Sequence, residues 1–599
     1  MKSIITVILL LILLTFVFTF PLALRLNSYI PGFSSTDEPY GALWHFWWMK
    51  YALVNHLNSA NTEIIAAPFG QIIHSAYVYW HSINKLSTLI TNQIFTYNIQ
   101  VLASFVLTGI ITYALSLYIF KSNFAALFSA IIFAFCPYHS VRSWQHLGLS
   151  FIQWMPLYIL SLLLLKKDKI MRNILFAALS FSLVMGFDLY YAYFMFIATI
   201  LFIIFYYFYY RNLKETFILI KSILIAGIVV LAIESFDLYQ VIKFMFGAQK
   251  SNIAHGVYGY VRPFEDLFAQ SARPLSYLLP ASVHPVFGKF TENFIGTALY
   301  GGSFTEHTLY LGWIPLLLAF LAVKKLLSRA NLSHANASDS KTGNFYLSFF
   351  IFLVIAAWLF SQPPWWSIFG LKLYMPSFFM YRLAPMFRAY CRFGVVVMLA
   401  VAVLAGAGLE FILGRFKTQK AKFAITAFFC SLVLFEFWNY PPYKVIDVSG
   451  VPGVYYWLKG QPGDFTIAEY PLDINGANEM YKFYQTAHEK KIINGTTPGT
   501  YANKVAQAII KLSAPKTTGI LKWMGARYIL VHKQDYLNTE LIEDRNELDK
   551  IPKNPDLKLI KTFPAQECTQ KGIVCIQKTG PIDVYEVITQ PIRPELEEK

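Results

Sequence analysis

Apolar residues fall in eleven long runs, at residues 4–23, 99–120, 123–137, 149–165, 173–187, 190–209, 216–235, 309–327, 346–360, 393–413 and 422–438. A helix crossing a bilayer needs ~20 mainly apolar residues, and these runs approach that length. Lipid offers backbone N–H and C=O groups no partner, so such runs fold as helices. A transmembrane barrel would instead show ~10-residue segments of alternating hydrophobicity. The first run, MKSIITVILLLILLTFVFTF, is followed by no small-x-small cleavage pattern and reads as an uncleaved signal anchor. The predicted fold is an α-helical polytopic membrane protein of about eleven helices.

Polar segments between the runs give its orientation. Residues 166–172 (KKDKIMR) and 415–422 (RFKTQKAK) each carry four Lys or Arg, and 210–215 and 324–345 are basic as well. Basic short loops stay in the cytoplasm. The N-terminus is then cytoplasmic, and segments 24–98, 138–148, 236–308, 361–392 and everything after 438 lie on the other face of the plasma (inner) membrane. Residues 328–345 read as a flexible cytoplasmic linker. The pattern changes again at 439–599, where charged residues, Pro and Gly become frequent. Period-two stretches there predict strands at 464–470, 526–532, 557–563, 572–578 and 582–588, with a helix at 517–525. The expected domains are a membrane part, 1–438, and an extracytoplasmic α/β domain, 439–599.

Composition narrows the function classes. Of 599 residues 56% are hydrophobic and 14% charged, against roughly 25% charged in soluble domains, and the net charge is +16. The basic excess sits between apolar runs, where it faces anionic headgroups and not nucleic acid. Glu234 and Glu436 fall at outer ends of runs, Lys221 and Glu410 toward inner ends. No run carries a mid-membrane charge and no two halves resemble one another, which counts against an ion-coupled transporter. The five cysteines lack metal-ligand spacing. Cys568 and Cys575, in the tail, are an expected disulfide pair if it lies outside the cytoplasm. P-loop, Rossmann and HExxH patterns are missing from the sequence, so soluble nucleotides have no support.

Candidate chemistry collects on the outer face. The first outer loop holds Asp37 and Glu38 ahead of an aromatic stretch with Trp44, Trp47, Trp48 and Tyr51 on one helical face. That pattern suits an interfacial helix with Thr36 or Asp37 as its N-cap and Pro39 in its first turn. It equally suits a carboxylate base beside rings that hold a lipid chain or a sugar.

An acid in a first outer loop, followed by a juxtamembrane helix and many spans, resembles the glycosyltransferase C superfamily. Those are integral-membrane enzymes that use polyprenyl-phosphate sugars. The run CPYHSVRSWQHLGLSFIQWMP (136–156) looks like a motif of bacterial YfhO-like members, through Pro137, Tyr138, His139, Arg142, His146 and Leu147. Two more segments fit that group, MFRAYCRFGVVVMLAVAVLAGAGL (386–409) and WMGARYI (523–529). The resemblance implies a glycosyltransferase C-like fold and transfer of a sugar to a glycan, lipid or protein acceptor, with Asp37 as base and Glu38 as the alternative. A leaving phosphate calls for guanidinium forks. Arg142, Arg382, Arg388 and Arg392 are on the expected face, with His139 and His146 as auxiliary donors. Asp188 is a second acid or a plain turn residue, and Glu306 and His307 are weaker candidates. Trp44, Trp47 and Trp48 would contact lipid or sugar. No residue set is assigned to a metal; a divalent-ion requirement stays open. The rival readings are a non-catalytic scaffold for surface-polymer assembly and a lipid or glycan transporter.

Overall fold

In a computed structural model the described residues are 2–32, 38–73, 78–236, 238–239, 262–330, 338–438, 443, 445–472, 479–497, 500–538, 542–565, 574–575 and 580–594. The chain divides into two compact units. One comprises Met1–Ala23, Gln100–Leu238 and Val261–Tyr443; the other comprises Leu24–Ile99, Tyr239–Tyr260 and Lys444–Lys599.

In the first unit each of the eleven apolar runs is a helix. Among the described residues five helices are long and apolar enough to cross a membrane: Gln93–Phe120, Leu189–Tyr210, Leu213–Ile233, Asn344–Ser361 and Tyr390–Leu413. A sixth span arises if Asn123–Ala134 and Pro137–Gln145 are counted as one helix bent by 40°. The bend falls where Cys136 leaves helical geometry and Pro137 opens the next helix, a position proline favours because its missing N–H is not needed there. Helices Trp313–Ala330 and Ser338–Ser361 take up most of the expected 328–345 linker, whose residues 331–337 lie outside the described set.

Helix Gly394–Leu413 is the hub of this unit and is buried along nearly its whole length. It packs against Trp313–Ala330, Ser338–Ser361 and Asn123–Ala134. Small residues make the close approach: a Cβ on Gly406 would collide with Ser129 Oγ, and one on Gly408 with the Leu318 carbonyl. This fixed helix carries Cys391 and Arg392 on the short turn Tyr390–Phe393 at its start.

The second unit holds a five-stranded sheet in the order Leu557–Phe563, Ile582–Val587, Ala526–His532, Thr466–Tyr470, Lys491–Ile492. The last three strands are parallel and the first two antiparallel. Ala468, Tyr470, Val505, Leu521, Ile529 and Tyr585 share its core. The buried Glu469 carboxylate receives the Tyr455 hydroxyl at 2.6 Å and lies 2.8 Å from His532 Nε2. A second sheet joins Tyr29–Pro31 to Val445–Asp447 (antiparallel), with Val574–Cys575 parallel on the other side. Of the strand expected at 572–578, the described residues Val574–Cys575 belong to this second sheet. Cys568 lies outside the described residues, and with it the expected disulfide.

Segment 24–98 is itself folded in its described residues. Helix Glu38–Val54 packs against helix Glu479–His488, and Val78–Ile90 follows. In segment 236–308, residues 237 and 240–261 are outside the described set. The rest forms short turns, among them Asp266–Ala269 and Phe304–His307.

Candidate active site

Three segments of the first unit converge on Glu306. The short helix Phe304–His307 presents it, with the Ser303 hydroxyl accepting the Glu306 N–H at 3.3 Å. Helix Pro137–Gln145 brings Arg142, whose side chain is wholly buried. Its Nη1 donates to Glu306 Oε1 at 3.2 Å and its Nη2 to Oε2 at 2.6 Å. From the hub helix, Arg392 donates through Nη2 to Oε1 at 2.7 Å and through Nε to both oxygens at 3.2 Å. The Cys391 thiol adds a donor to Oε2 at 3.0 Å. Two guanidiniums therefore grip one carboxylate, and the trio keeps one net positive charge.

Aromatic side chains build the walls. The Arg142 guanidinium lies 5.1 Å from the Tyr138 ring centre and that of Arg392 lies 4.6 Å from Tyr190. The Tyr138 and Tyr191 hydroxyls meet at 3.0 Å, and Tyr191 donates to the Leu149 carbonyl at 2.5 Å. Asp188 caps helix Leu189–Tyr210 by accepting the Tyr191 N–H at 3.0 Å. Its role as a capping turn residue is thus visible, and so is its membership of the cluster.

Electrostatics follow from this geometry. Burial pushes the Glu306 carboxyl up, but Arg142 and Arg392 outweigh burial and hold it well below the usual carboxylate range. Burial drives the Asp188 carboxyl up to about 6, against the pull of backbone N–H groups, Arg392 and Arg142. Burial, with Arg392 adding to it, lowers His146 to about 4, so this imidazole is neutral near pH 7. One donor, Arg142 Nε, is buried and has no hydrogen-bond partner among the described residues.

The other sequence candidates take separate places. Arg388 pairs with Asp266 at 2.7 Å in a half-buried contact. Arg382 is exposed and lies over the Phe378 ring at 4.3 Å. Both ring nitrogens of His139 are engaged, with Ser104 Oγ at 3.0 Å and the Ala134 carbonyl at 2.7 Å, and Phe105 stacks on the ring. His307 is fully buried, its Nε2 3.1 Å from the Ala269 carbonyl. In the second unit Trp44 and Trp48 stack at 6.1 Å and are buried, and Trp47 stacks on Tyr51 at 4.7 Å. Trp44 Nε1 donates to Gln485 Oε1 at 2.8 Å and Lys482 Nζ lies 5.0 Å from its ring, so this residue faces protein. Glu38 is the exposed first residue of its helix, whereas Asp37 lies outside the described residues. Among the described residues no three His, Cys, Asp or Glu side chains form a metal-binding group. Sequence reasoning gave Glu306 too little weight and passed over Asp266. An acid just before an apolar run, in a chain with 34 acids, is the available signal for Glu306.

This fold has counterparts among solved structures. Among solved structures it is similar to the arabinofuranosyltransferase AftD from mycobacteria, at TM-score 0.55 and 14% identity over 98% of this chain. It is also similar to the archaeal oligosaccharyltransferase AglB from Archaeoglobus fulgidus in complex with an inhibitory peptide and a dolichol-phosphate. There the TM-score is 0.50 and the identity 11%, over 89% of this chain and 69% of that one. The chain spans only 40% of the length of AftD. No protein-family model matches the sequence, and no curated protein matches it.

Proposed function

We propose that the chain is a membrane glycosyltransferase that moves a sugar from a polyprenyl-phosphate donor to a glycan, lipid or protein acceptor. The observation that carries this reading is the pair of buried guanidiniums on Glu306, with Arg142 Nε left as a donor. A leaving phosphate develops negative charge as the glycosidic bond breaks, and preoriented cationic donors stabilise that charge where water is excluded. Glu306 holds the two forks apart and fixed before donor arrives, so little reorganisation accompanies reaction. Asp37, or Glu38 beside it, takes the acceptor proton. Neutral His146 supplies a further hydrogen bond to phosphate or sugar, and the Tyr138–Tyr191 hydroxyl pair, bonded on to the Leu149 carbonyl, holds the wall behind Arg142. The C-fold likeness supports this class of reaction. The finer likeness to YfhO-like proteins rests on the Pro137–Leu147 motif.

The test uses undecaprenyl phosphate as the probe, followed by turnover of a lipid-linked sugar. Arg142→Gln and Arg392→Gln are expected to lose probe binding. Asp37→Asn with Glu38→Gln is expected to keep binding and lose transfer. Unchanged binding in both arginine variants would overturn the site, and normal turnover in the acid double variant would overturn the base assignment.

A further inference from the structure

Four residues after the span Asn344–Ser361 ends, a β-hairpin pairs Trp365–Ile368 with Leu371–Tyr374. Its register sorts the side chains by face, since successive residues on a strand point to opposite sides. Trp365 faces Tyr374 and Ser367 faces Lys372 on one side; Trp366 faces Leu373 and Ile368 faces Leu371 on the other. The first side is anchored and polar. Trp365 meets Phe268 at 4.8 Å and Phe264 at 5.8 Å, and Tyr374 meets Phe378 at 4.7 Å. Lys372 folds back so that its Nζ lies 4.6 Å from the Trp365 ring. The second side is apolar, half-buried at Trp366 and bare toward the tip: Ile368 is 45% exposed, Leu373 53% and Leu371 76%. Phe369, in the left-handed region at φ 49° ahead of Gly370 at φ 82°, stands fully exposed at the tip.

We propose that this hairpin is a lipid-contacting anchor lying flat in the membrane interface, with Ile368, Phe369, Leu371 and Leu373 in the acyl boundary. Three observations single out lipid as the occupant. Four residues reach at most ~14 Å, so the hairpin base is tethered close to the end of a span. Trp365, Tyr374 and Lys372 sit on the face opposite Ile368, Leu371 and Leu373, the arrangement of a surface-lying amphipathic element. The free edges of a two-stranded ribbon keep unpaired backbone groups, which the hydrocarbon core rejects. The ribbon therefore rests at the boundary and does not cross it. Phe264 and Phe268, against which Trp365 packs, flank Asp266, the partner of Arg388. The anchor thus sets the depth of that basic segment relative to the lipid phosphates. The proposal is independent of the transfer reaction.

The experiment places a nitroxide label at Phe369→Cys, Leu371→Cys and Lys372→Cys in the full chain reconstituted in nanodiscs. The spectrum of the parent protein, in which Cys136, Cys391 and Cys430 are buried, is subtracted. Labels at 369 and 371 are expected to be relaxed by oxygen and to lose relaxation by a water-soluble nickel chelate, with the reverse at 372. Nickel relaxation at 369 and 371 equal to that at 372 would overturn the proposal. So would protection of 369 and 371 from both reagents, which would mean a protein covers the face.

Discussion

Replacing Glu306 by Gln removes the carboxylate that Arg142 and Arg392 share, while leaving side-chain volume nearly unchanged. Breaking a buried ion pair from one side costs ~3–5 kcal/mol, because the remaining charge is left uncompensated. Here two guanidiniums lose their partner at contacts of 2.6 and 2.7 Å. The introduced amide can still accept one hydrogen bond, and Asp188 offers part of a second negative charge, so ~3–5 kcal/mol stands as the expected loss. The same change leaves an uncompensated cationic site that an anion fills. A phosphate lipid held at ~100 times its dissociation constant stabilises by ~2.7 kcal/mol, which returns more than half of the loss. The assay is thermal unfolding in detergent at neutral pH, with and without undecaprenyl phosphate. Glu306→Gln is expected to unfold at lower temperature and to gain more from the lipid than the parent does. Equal unfolding temperatures without lipid, or equal gains with it, would refute the reasoning.

Further outcomes follow from other contacts. Arg392→Gln is expected to reduce sugar transfer ~10²–10³-fold, the usual effect of losing one donor to developing negative charge. Arg388→Gln, at a half-exposed pair worth ~0–1 kcal/mol, should leave folding and turnover near the parent's in unfolding and product assays. Asp188 titrates in the fold near 6, above the ~3.9 of an unfolded aspartate, so the fold binds its proton more tightly. Its stability penalty is absent below pH ~4, grows to about pH 6 and then stays near ~3 kcal/mol. Asp188→Asn, which keeps a good N-cap, should therefore match the parent in acid and unfold later above pH ~6; a constant difference at every pH would refute this. Trp44→Phe leaves the buried Gln485 Oε1 without its donor and should cost ~1–3 kcal/mol in chemical unfolding.

The membrane helices were legible because each is written in a contiguous apolar run. Strands 526–532 and 557–563 were legible for the same local reason, alternation with β-branched residues. Helix Pro137–Gln145 read as an outer turn because its polar residues, Tyr138, His139, Arg142 and Ser143, mask its helical period. All four are buried and meet partners brought from elsewhere in the chain, while Arg142 keeps its Nε as an unpartnered donor among the described residues. Arg142 and Glu306 lie 164 residues apart, and Glu306 and Arg392 lie 86 apart. No window of sequence contains such a pairing, so charge identity gave the arginines, while Glu306 stood as a weaker candidate whose central place emerged only in three dimensions. Hairpin Trp365–Tyr374 was hidden for a different reason: its apolar face is too short to register beside the runs around it.

The strand register Tyr29↔Asp447 has a consequence for how the protein is born. At ~5–20 residues per second, the ribosome needs on the order of 20–80 seconds to supply the second strand after the first has emerged. Until then the Tyr29–Pro31 segment has no mate for its edge, and nascent chains halted before codon 445 should be the most vulnerable to proteases near their amino end. The biosynthetic clock, as much as final stability, thus sets when this loop becomes safe.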